Sequence, residues 1–136
     1  MKQLFGIFCL SLLIFSCANP YKLMVKGRYD QAINVCKKKL MKANKKDKHI
    51  IILEESYQKA VSRDKGRVEF LLKENRDENM VELMNIYKRL KSRQDRIKGL
   101  LPLEVVSEGR NANINIENYD NQLIAAKEKA VKYLYD

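Results

Sequence analysis

Apolar residues recur at intervals of three and four along most of the chain, which is the spacing of one buried face of an α-helix. Glycine and proline, which interrupt helices, are few, with five glycines and two prolines in 136 residues. The pattern predicts helices over about residues 30–44, 47–62, 68–74, 79–98 and 119–136. A break is expected at Asp64–Gly66, and Gly99 is expected to end the helix over 79–98. We therefore predict an all-α protein of four to six helices that pack as antiparallel hairpins.

Each predicted helix has an apolar face to bury and a polar face to expose. Asp30 is the predicted N-cap of the first helix, because a carboxylate there can accept hydrogen bonds from free backbone N–H groups. The apolar stripe of that helix comprises Ala32, Ile33, Cys36, Leu40 and Met41. In the helix over 79–98, the side opposite the apolar stripe carries Lys88, Arg89, Lys91, Arg93 and Arg96. We expect these cations to be solvated.

Residues 104–118 differ in composition from the rest of the chain. Asparagines at 111, 113, 115 and 118 surround Ile114 and Ile116, which predicts a polar linker and hinge with some extended structure. The last helix follows and has apolar residues spaced for burial, namely Leu123, Ile124, Ala126, Ala130, Val131 and Leu134. Its aromatic and apolar end is unusual for a free terminus, so we expect this helix to pack on further chain.

The first seventeen residues follow another pattern. Lys2 precedes a nearly uncharged apolar run from Leu4 to Phe15, and polar residues follow Cys17. As a helix, residues 4–16 would rise only about 20 Å, short of the roughly 30 Å hydrocarbon core of a bilayer. A basic start followed by a short apolar run predicts a cleaved secretory signal rather than a spanning helix.

Ile14-Phe15-Ser16-Cys17 resembles the lipobox of bacterial lipoproteins, in which an aliphatic residue lies three positions before the cysteine. The resemblance implies a signal peptide over residues 1–16 and acylation of Cys17, with palmitate among the acyl groups. The alternatives are an ordinary signal peptide with a fortuitous cysteine and an uncleaved anchor.

The remaining cysteines predict no disulfide framework. Cys9 would leave with the signal peptide, and an acylated Cys17 would leave Cys36 without an intrachain partner. Cys36 is therefore predicted to be a small buried apolar residue. The alternative is a reactive thiol whose pKa is lowered by the lysines that follow it.

Gly27-x-Tyr29-x-x-Ala32-Ile33 resembles the turn and second-helix start of a tetratricopeptide (TPR) repeat. The resemblance implies that Gly27 permits a tight turn, that Tyr29 fills the groove between helices and that Ala32 allows close helix contact. Tyr57 and Ala60, with a turn at Gly66, repeat the arrangement loosely, at a spacing longer than the consensus of about 34 residues. The alternative is an irregular helical bundle with an incidental Gly-x-Tyr turn.

A later block, Tyr87-x-x-Leu90-x-x-Arg93-Gln94 followed by Leu100-Leu101-Pro102-Leu103, resembles one in lipoproteins of Bacteroidota that carry degenerate TPR-like helices. The predicted division is then as follows: signal peptide 1–16, TPR-like helical domain 17–103, polar linker 104–118 and C-terminal helix 119–136.

Positive charge is concentrated along the chain. The formal net charge is +10, of which the signal peptide contributes only Lys2. The densest segment, here called the lysine cluster, comprises Lys37, Lys38, Lys39, Lys42, Lys45, Lys46 and Lys48. Such a cluster is typical of a surface that binds nucleic acid, anionic lipid or an acidic partner, and also of a simple solvated helical face. The predicted export argues against nucleic acid as the partner.

No motif for catalysis or metal binding is present. His49 is the single histidine, and the chain lacks Cys-x-x-Cys and His-x-x-x-His spacings and a phosphate-binding glycine loop. Adjacent carboxylates such as Glu54 and Glu55 point about 100° apart on a helix, so they cannot converge on one substrate atom. We predict no enzyme activity, no cofactor and no metal.

Taken together, these patterns predict a lipoprotein anchored to a membrane of the cell envelope and facing the periplasm. Its expected role is a non-catalytic helical module that binds a protein partner in the envelope. The first alternative is a basic protein that binds an anionic lipid or acidic glycan surface. The second is part of a hydrolase that requires further chain.

Overall fold

The computed structural model describes residues 18–42 and 45–135, and helices make up most of them, which confirms the all-α class. The described α-helices are α1 (Pro20–Val25), α2 (Tyr29–Leu40), α3 (Asp47–Glu74), α4 (Met80–Ile97) and α5 (Asp120–Tyr135). Single 3₁₀ turns lie at Asp77–Asn79, Lys98–Leu100 and Val106–Glu108. A short antiparallel ribbon pairs β1 (Glu104–Val105) with β2 (Arg110–Asn111). The predicted signal peptide and Cys17 lie outside the described residues.

The longest described element, α3, is one continuous helix of 28 residues, which corresponds to a length of about 40 Å. The expected break at Asp64–Gly66 is therefore wrong. Asp64 stays inside the helix because its carboxylate pairs with Arg89 and Arg93 of α4. Gly66 is exposed in the helix interior, where glycine costs only about 1 kcal/mol relative to alanine.

The other helices are arranged along α3. The α2 helix runs back along its N-terminal part, so that Leu40 packs near Ile50, and α4 returns from its C-terminal end. The α5 helix packs on α4, with Asp120 near Lys91 and the far end of α5 near the turn at Asp77–Asn79. The N-terminal half of α3 thus packs against α1, α2 and the end of α4, whereas its C-terminal half packs against the rest of α4, on which α5 lies.

The start of the described chain contains a helix that the apolar pattern did not predict. The α1 helix begins at Pro20, and the side chain of Asn19 caps it by accepting a hydrogen bond from the Tyr21 N–H at 3.0 Å. The prediction that Asp30 caps the next helix is wrong. That helix begins at Tyr29, and the Asp30 carboxylate turns to arginines of α4 instead.

Two apolar clusters lie along α3. Buried residues of the first are Ile33, Cys36, Leu40, Ile50, Leu53, Tyr57, Ile97, Leu103 and Val105. Buried residues of the second are Val68, Leu71, Met80, Leu83, Ile86, Leu90, Tyr119, Ala126 and Ala130. Val61 packs against both, so the two clusters adjoin at the middle of α3.

Some residues of the predicted apolar stripes are exposed. Met41, Phe70 and Leu72 are 67%, 51% and 53% exposed. Because α3 does not break, the helical spacing of its buried residues continues without a shift through Val68 and Leu71. Phe70 and Leu72 therefore lie on the outer side of the helix.

The predicted linker connects α4 to α5, but it is packed onto α3, so the hinge interpretation is wrong. Glu54 of α3 accepts hydrogen bonds from Arg110 at 2.9 and 3.0 Å and from the Asn113 N–H at 2.6 Å. The Tyr57 hydroxyl donates to the carbonyl of Asn115 at 2.8 Å. These bonds fix the segment along α3.

Candidate functional site

The lysine cluster lies at one end of the molecule, where the last turn of α2 leads towards the first turn of α3. Lys37 and Lys39 are half-buried, and the other five lysines are exposed. None of the ion pairs among the described residues involves any of the seven. The one acid in the segment, Asp47, accepts a hydrogen bond from the Ser107 N–H at 2.7 Å. The fold therefore places these charges at one end of the molecule without pairing them with carboxylates of the described chain.

A cleft of about 400 Å³ adjoins the lysine cluster. Its lining comprises Ala18, Asn19, Pro20, Tyr21, Lys39, Lys48, His49 and Ile52. Partial burial of His49 and the positive charges of Lys39, Lys48 and Lys46 lower the pKa of its imidazole. The lowered pKa favours the neutral imidazole, and the lysines contribute to the lowering after burial.

Cys17, the predicted site of acylation, lies outside the described residues. Its direct chain neighbour, Ala18, is exposed and lines the cleft beside the lysine cluster. The described chain thus begins at the same end of the molecule as the lysine cluster.

Gly27 forms the turn between α1 and α2. The Gly27 N–H donates to the Met24 carbonyl at 2.9 Å, and the Arg28 N–H donates to the Leu23 carbonyl at 2.9 Å. These two bonds make a Schellman motif, in which the residue after the helix is left-handed. Gly27 has φ +72°, a conformation that glycine adopts without a steric penalty.

The other two residues of the predicted repeat turn hold this corner against α3. Tyr29 is half-buried, and the guanidinium carbon of Arg63 lies 5.1 Å from its ring centroid. Ala32 is fully buried. A TPR-like first unit stays a prediction, whereas the second turn, expected at Gly66, is wrong because that residue lies within α3.

A buried charged network, which the sequence pattern did not predict, joins α2, α3 and α4. Arg93, expected to be solvated, is fully buried. Its guanidinium donates to both Asp30 oxygens at 2.9 Å and to Asp64 Oδ2 at 2.9 Å. Arg89 donates to both Asp64 oxygens at 3.0 and 2.6 Å, and Arg96 donates to Asp30 Oδ1 at 2.6 Å. The network clamps the three helices together.

The network keeps both carboxylates ionised. Burial alone would raise the pKa of Asp30 and Asp64, but hydrogen bonds and charges from the arginines lower both pKa values below their usual range. The paired carboxylates raise the pKa of Arg93 against the opposing effect of burial. Every oxygen of the two carboxylates accepts a hydrogen bond from an arginine of α4. The carboxylates are therefore engaged in holding α2 and α3 to α4.

The outer side of α5 presents an apolar face. Its contact with α4 uses the small residues Ala126 and Ala130, which leaves larger side chains outside. The exposed large apolar residues of α5 are Ile124 (55%), Val131 (47%), Tyr133 (48%), Leu134 (61%) and Tyr135 (84%). The predicted burial of Ile124, Val131 and Leu134 is therefore wrong for the described chain. Residues 124, 131 and 135 are spaced by seven and four, so they align along one side of the helix, here called the α5 face, on which exposed Glu128 lies between the first two.

A buried thiol and the potential metal ligands are the remaining chemical candidates. Cys36 is buried as predicted, and burial raises the pKa of its thiol to about 12, which opposes the reactive-thiol alternative. Within residues 18–42 and 45–135, no group of three or more His, Cys, Asp or Glu side chains is placed to hold a metal ion. No helix in this part of the chain is long and apolar enough to cross a membrane.

Comparison of the chain with protein-family models, curated proteins and solved structures gave no match. Two surfaces of the described fold are candidates for binding: the lysine cluster with its cleft, and the α5 face.

Proposed function

We propose that this protein is a lipid-anchored, non-catalytic helical module of the bacterial cell envelope that binds a protein partner through the α5 face. The observation that carries the proposal is the exposed apolar character of that face. Single exposed apolar residues are normal, but several that align on one surface, with polar residues around them, are typical of protein-binding sites.

The anchor is supported by the lipobox resemblance around Cys17 and by the exposure of Ala18 beside it. A single acyl chain gives only marginal membrane binding, whereas several chains at about 0.8 kcal/mol per buried methylene hold a protein stably. An acylated Cys17 would keep the protein on the periplasmic side of an envelope membrane.

The partner surface is supported by the position of α5. This helix ends beside the turn at Asp77–Asn79, which follows the C-terminal end of α3, whereas Ala18 lies beside the N-terminal end. The two sites are thus separated by much of a helix about 40 Å long. Apolar residues along one side of a helix are the anchors used when a helix binds in a groove of a partner.

Site-specific photocrosslinking in cells tests the proposal. A photoreactive residue at Val131 should give a discrete adduct with one envelope protein, whereas the same residue at exposed Lys132, turned about 100° around the helix, should not. Cys17→Ser should abolish acylation and leave the signal peptide uncleaved by the lipoprotein peptidase, as the mass of the isolated protein would show.

Two results contradict the proposal separately. Equal adducts at 131 and 132 would show that the α5 face has no specific partner. Unchanged processing of Cys17→Ser at residue 17 would show that Cys17 is not the anchor.

A further inference from the structure

The charge of the molecule is unevenly neutralised. Arg89, Arg93, Arg96 and Arg110 are all paired with carboxylates of the fold. The lysine cluster makes no such pair among the described residues, although it contains seven cations. The densest group of cations without an ion pair in the described chain therefore lies at the end of the molecule where α2 finishes and α3 begins.

This end coincides with the start of the described chain. Ala18 and Asn19 line the same cleft as Lys39 and Lys48, so the described chain begins directly beside the cluster. A tether attached to Cys17 would hold these lysines near a bilayer surface. Anionic head groups attract cations over a Debye length of about 8 Å at physiological ionic strength, and the attraction falls off beyond it.

We propose that the lysine cluster lies on the anionic phospholipid head groups of the membrane that carries the lipid anchor. The contact orients the molecule, with the N-terminal end of α3 towards the bilayer and the end of α5 away from it. The inference rests on the proposed anchor for its biological setting, but the surface chemistry stands on the lysines alone.

Flexible lysines suit this ligand better than a shaped pocket would. Each is a hydrated point charge on a long stem, which can follow mobile head groups without a fixed geometry. Every lysine close to an anionic surface strengthens binding about fivefold. The five fully exposed lysines therefore suffice for measurable binding without any acyl chain.

Vesicle sedimentation with the unacylated chain tests the inference independently of the anchor. The chain from residue 17 onwards, carrying Cys17→Ser, contains every described element. It should bind vesicles containing phosphatidylglycerol and release them as sodium chloride rises from 50 to 500 mM. It should not bind vesicles of phosphatidylcholine alone.

The decisive variant replaces four exposed lysines of the cluster: Lys38→Gln, Lys42→Gln, Lys45→Gln and Lys46→Gln. Its affinity for the anionic vesicles should fall by a factor on the order of several hundred. Circular dichroism of the variant should match that of the parent chain, because these side chains make no ion pair within the described fold.

A matched control removes the same net charge elsewhere. Lys88→Gln, Lys127→Gln, Lys129→Gln and Lys132→Gln change exposed lysines that make no ion pair among the described residues. This variant should keep most of its vesicle affinity. An equal loss in both variants would overturn the inference, as would binding to phosphatidylcholine or preferential binding to an anionic polysaccharide over the vesicles. Unchanged processing of Cys17→Ser in cells would contradict the anchor and leave the vesicle result intact.

Discussion

Arg93 shows how a charge becomes part of the core. Removing a guanidinium from water costs several kcal/mol, and the cost is offset only where geometry and hydrogen bonding are good. Asp30 binds it through two parallel N–H···O bonds, and Asp64 accepts a third. Arg89 and Arg96 reach the same carboxylates from more exposed positions, so neither aspartate depends on Arg93 alone.

Asp64→Asn should lower the free energy of unfolding by about 3–5 kcal/mol at pH 7, because it leaves buried Arg93 without one of its two counter-charges. Urea unfolding followed by circular dichroism measures the change. Glu69→Gln, at an exposed position of the same helix, is the control and should change stability by less than about 0.5 kcal/mol. Equal stability of the two variants would show that the network contributes little.

The same substitution should reduce the acid sensitivity of the protein. The folded-state pKa of Asp64 is lower than the ordinary value of 3.8, so its stabilising effect is complete above that value and is lost as the pH falls through the folded pKa. The unfolding free energies of the parent and Asp64→Asn should therefore converge as the pH falls below about 4. A constant difference between them down to pH 3 would contradict this account.

The spacing of apolar residues in the sequence indicates that Arg93 is buried. It does not indicate which residues pair with Arg93. Leu83, Ile86, Leu90 and Ile97 form a stripe spaced by three and four, and residue 93 fills the gap in that stripe. Periodicity therefore places it on the inner face, although its charge suggests the opposite. The pairing with Asp30 and Asp64 depends on how distant segments pack, which no local pattern contains.

At the scale of elements, the predictions succeeded where the apolar pattern is long and failed where it is short or interrupted. The α4 helix was predicted over 79–98 and observed over Met80–Ile97. The six-residue α1 is too short to show periodicity. Asp64–Gly66 combines a charge with a glycine and therefore resembles a turn locally, but tertiary pairing of Asp64 keeps α3 continuous.

The two glycines provide a direct test of these assignments. An added Cβ would meet no atom within 4 Å at either Gly27 or Gly66, so the effect of alanine is set by backbone conformation alone. Gly66→Ala should stabilise the protein by about 0.5–1 kcal/mol in urea unfolding, since it lies in an exposed helix interior. Gly27→Ala should destabilise it by about 1–2 kcal/mol, since its φ is positive. Changes of the same sign would contradict either the helix or the turn.

At the scale of the molecule, one helix joins two apolar clusters and two candidate surfaces. The composition of the lysine cluster was evident from the sequence, and so was the apolar character of α5. Their placement was not, because it requires the antiparallel return of α2 and the contact of α5 with α4 through alanines. The two surfaces belong to one cooperative unit only if the two apolar clusters unfold together.

We expect that coupling because α3 runs through both clusters without a break, Val61 contacts both, and the Arg93 network ties α2 to α4. Leu53→Ala in the first cluster and Leu83→Ala in the second should each cost about 2–5 kcal/mol. In native-state hydrogen exchange, each variant should lower the protection of the slowest amides in both α2 and α5, because amides that open only by global unfolding share one free energy. If Leu83→Ala weakened protection in α4 and α5 alone, the clusters would be separate cooperative units.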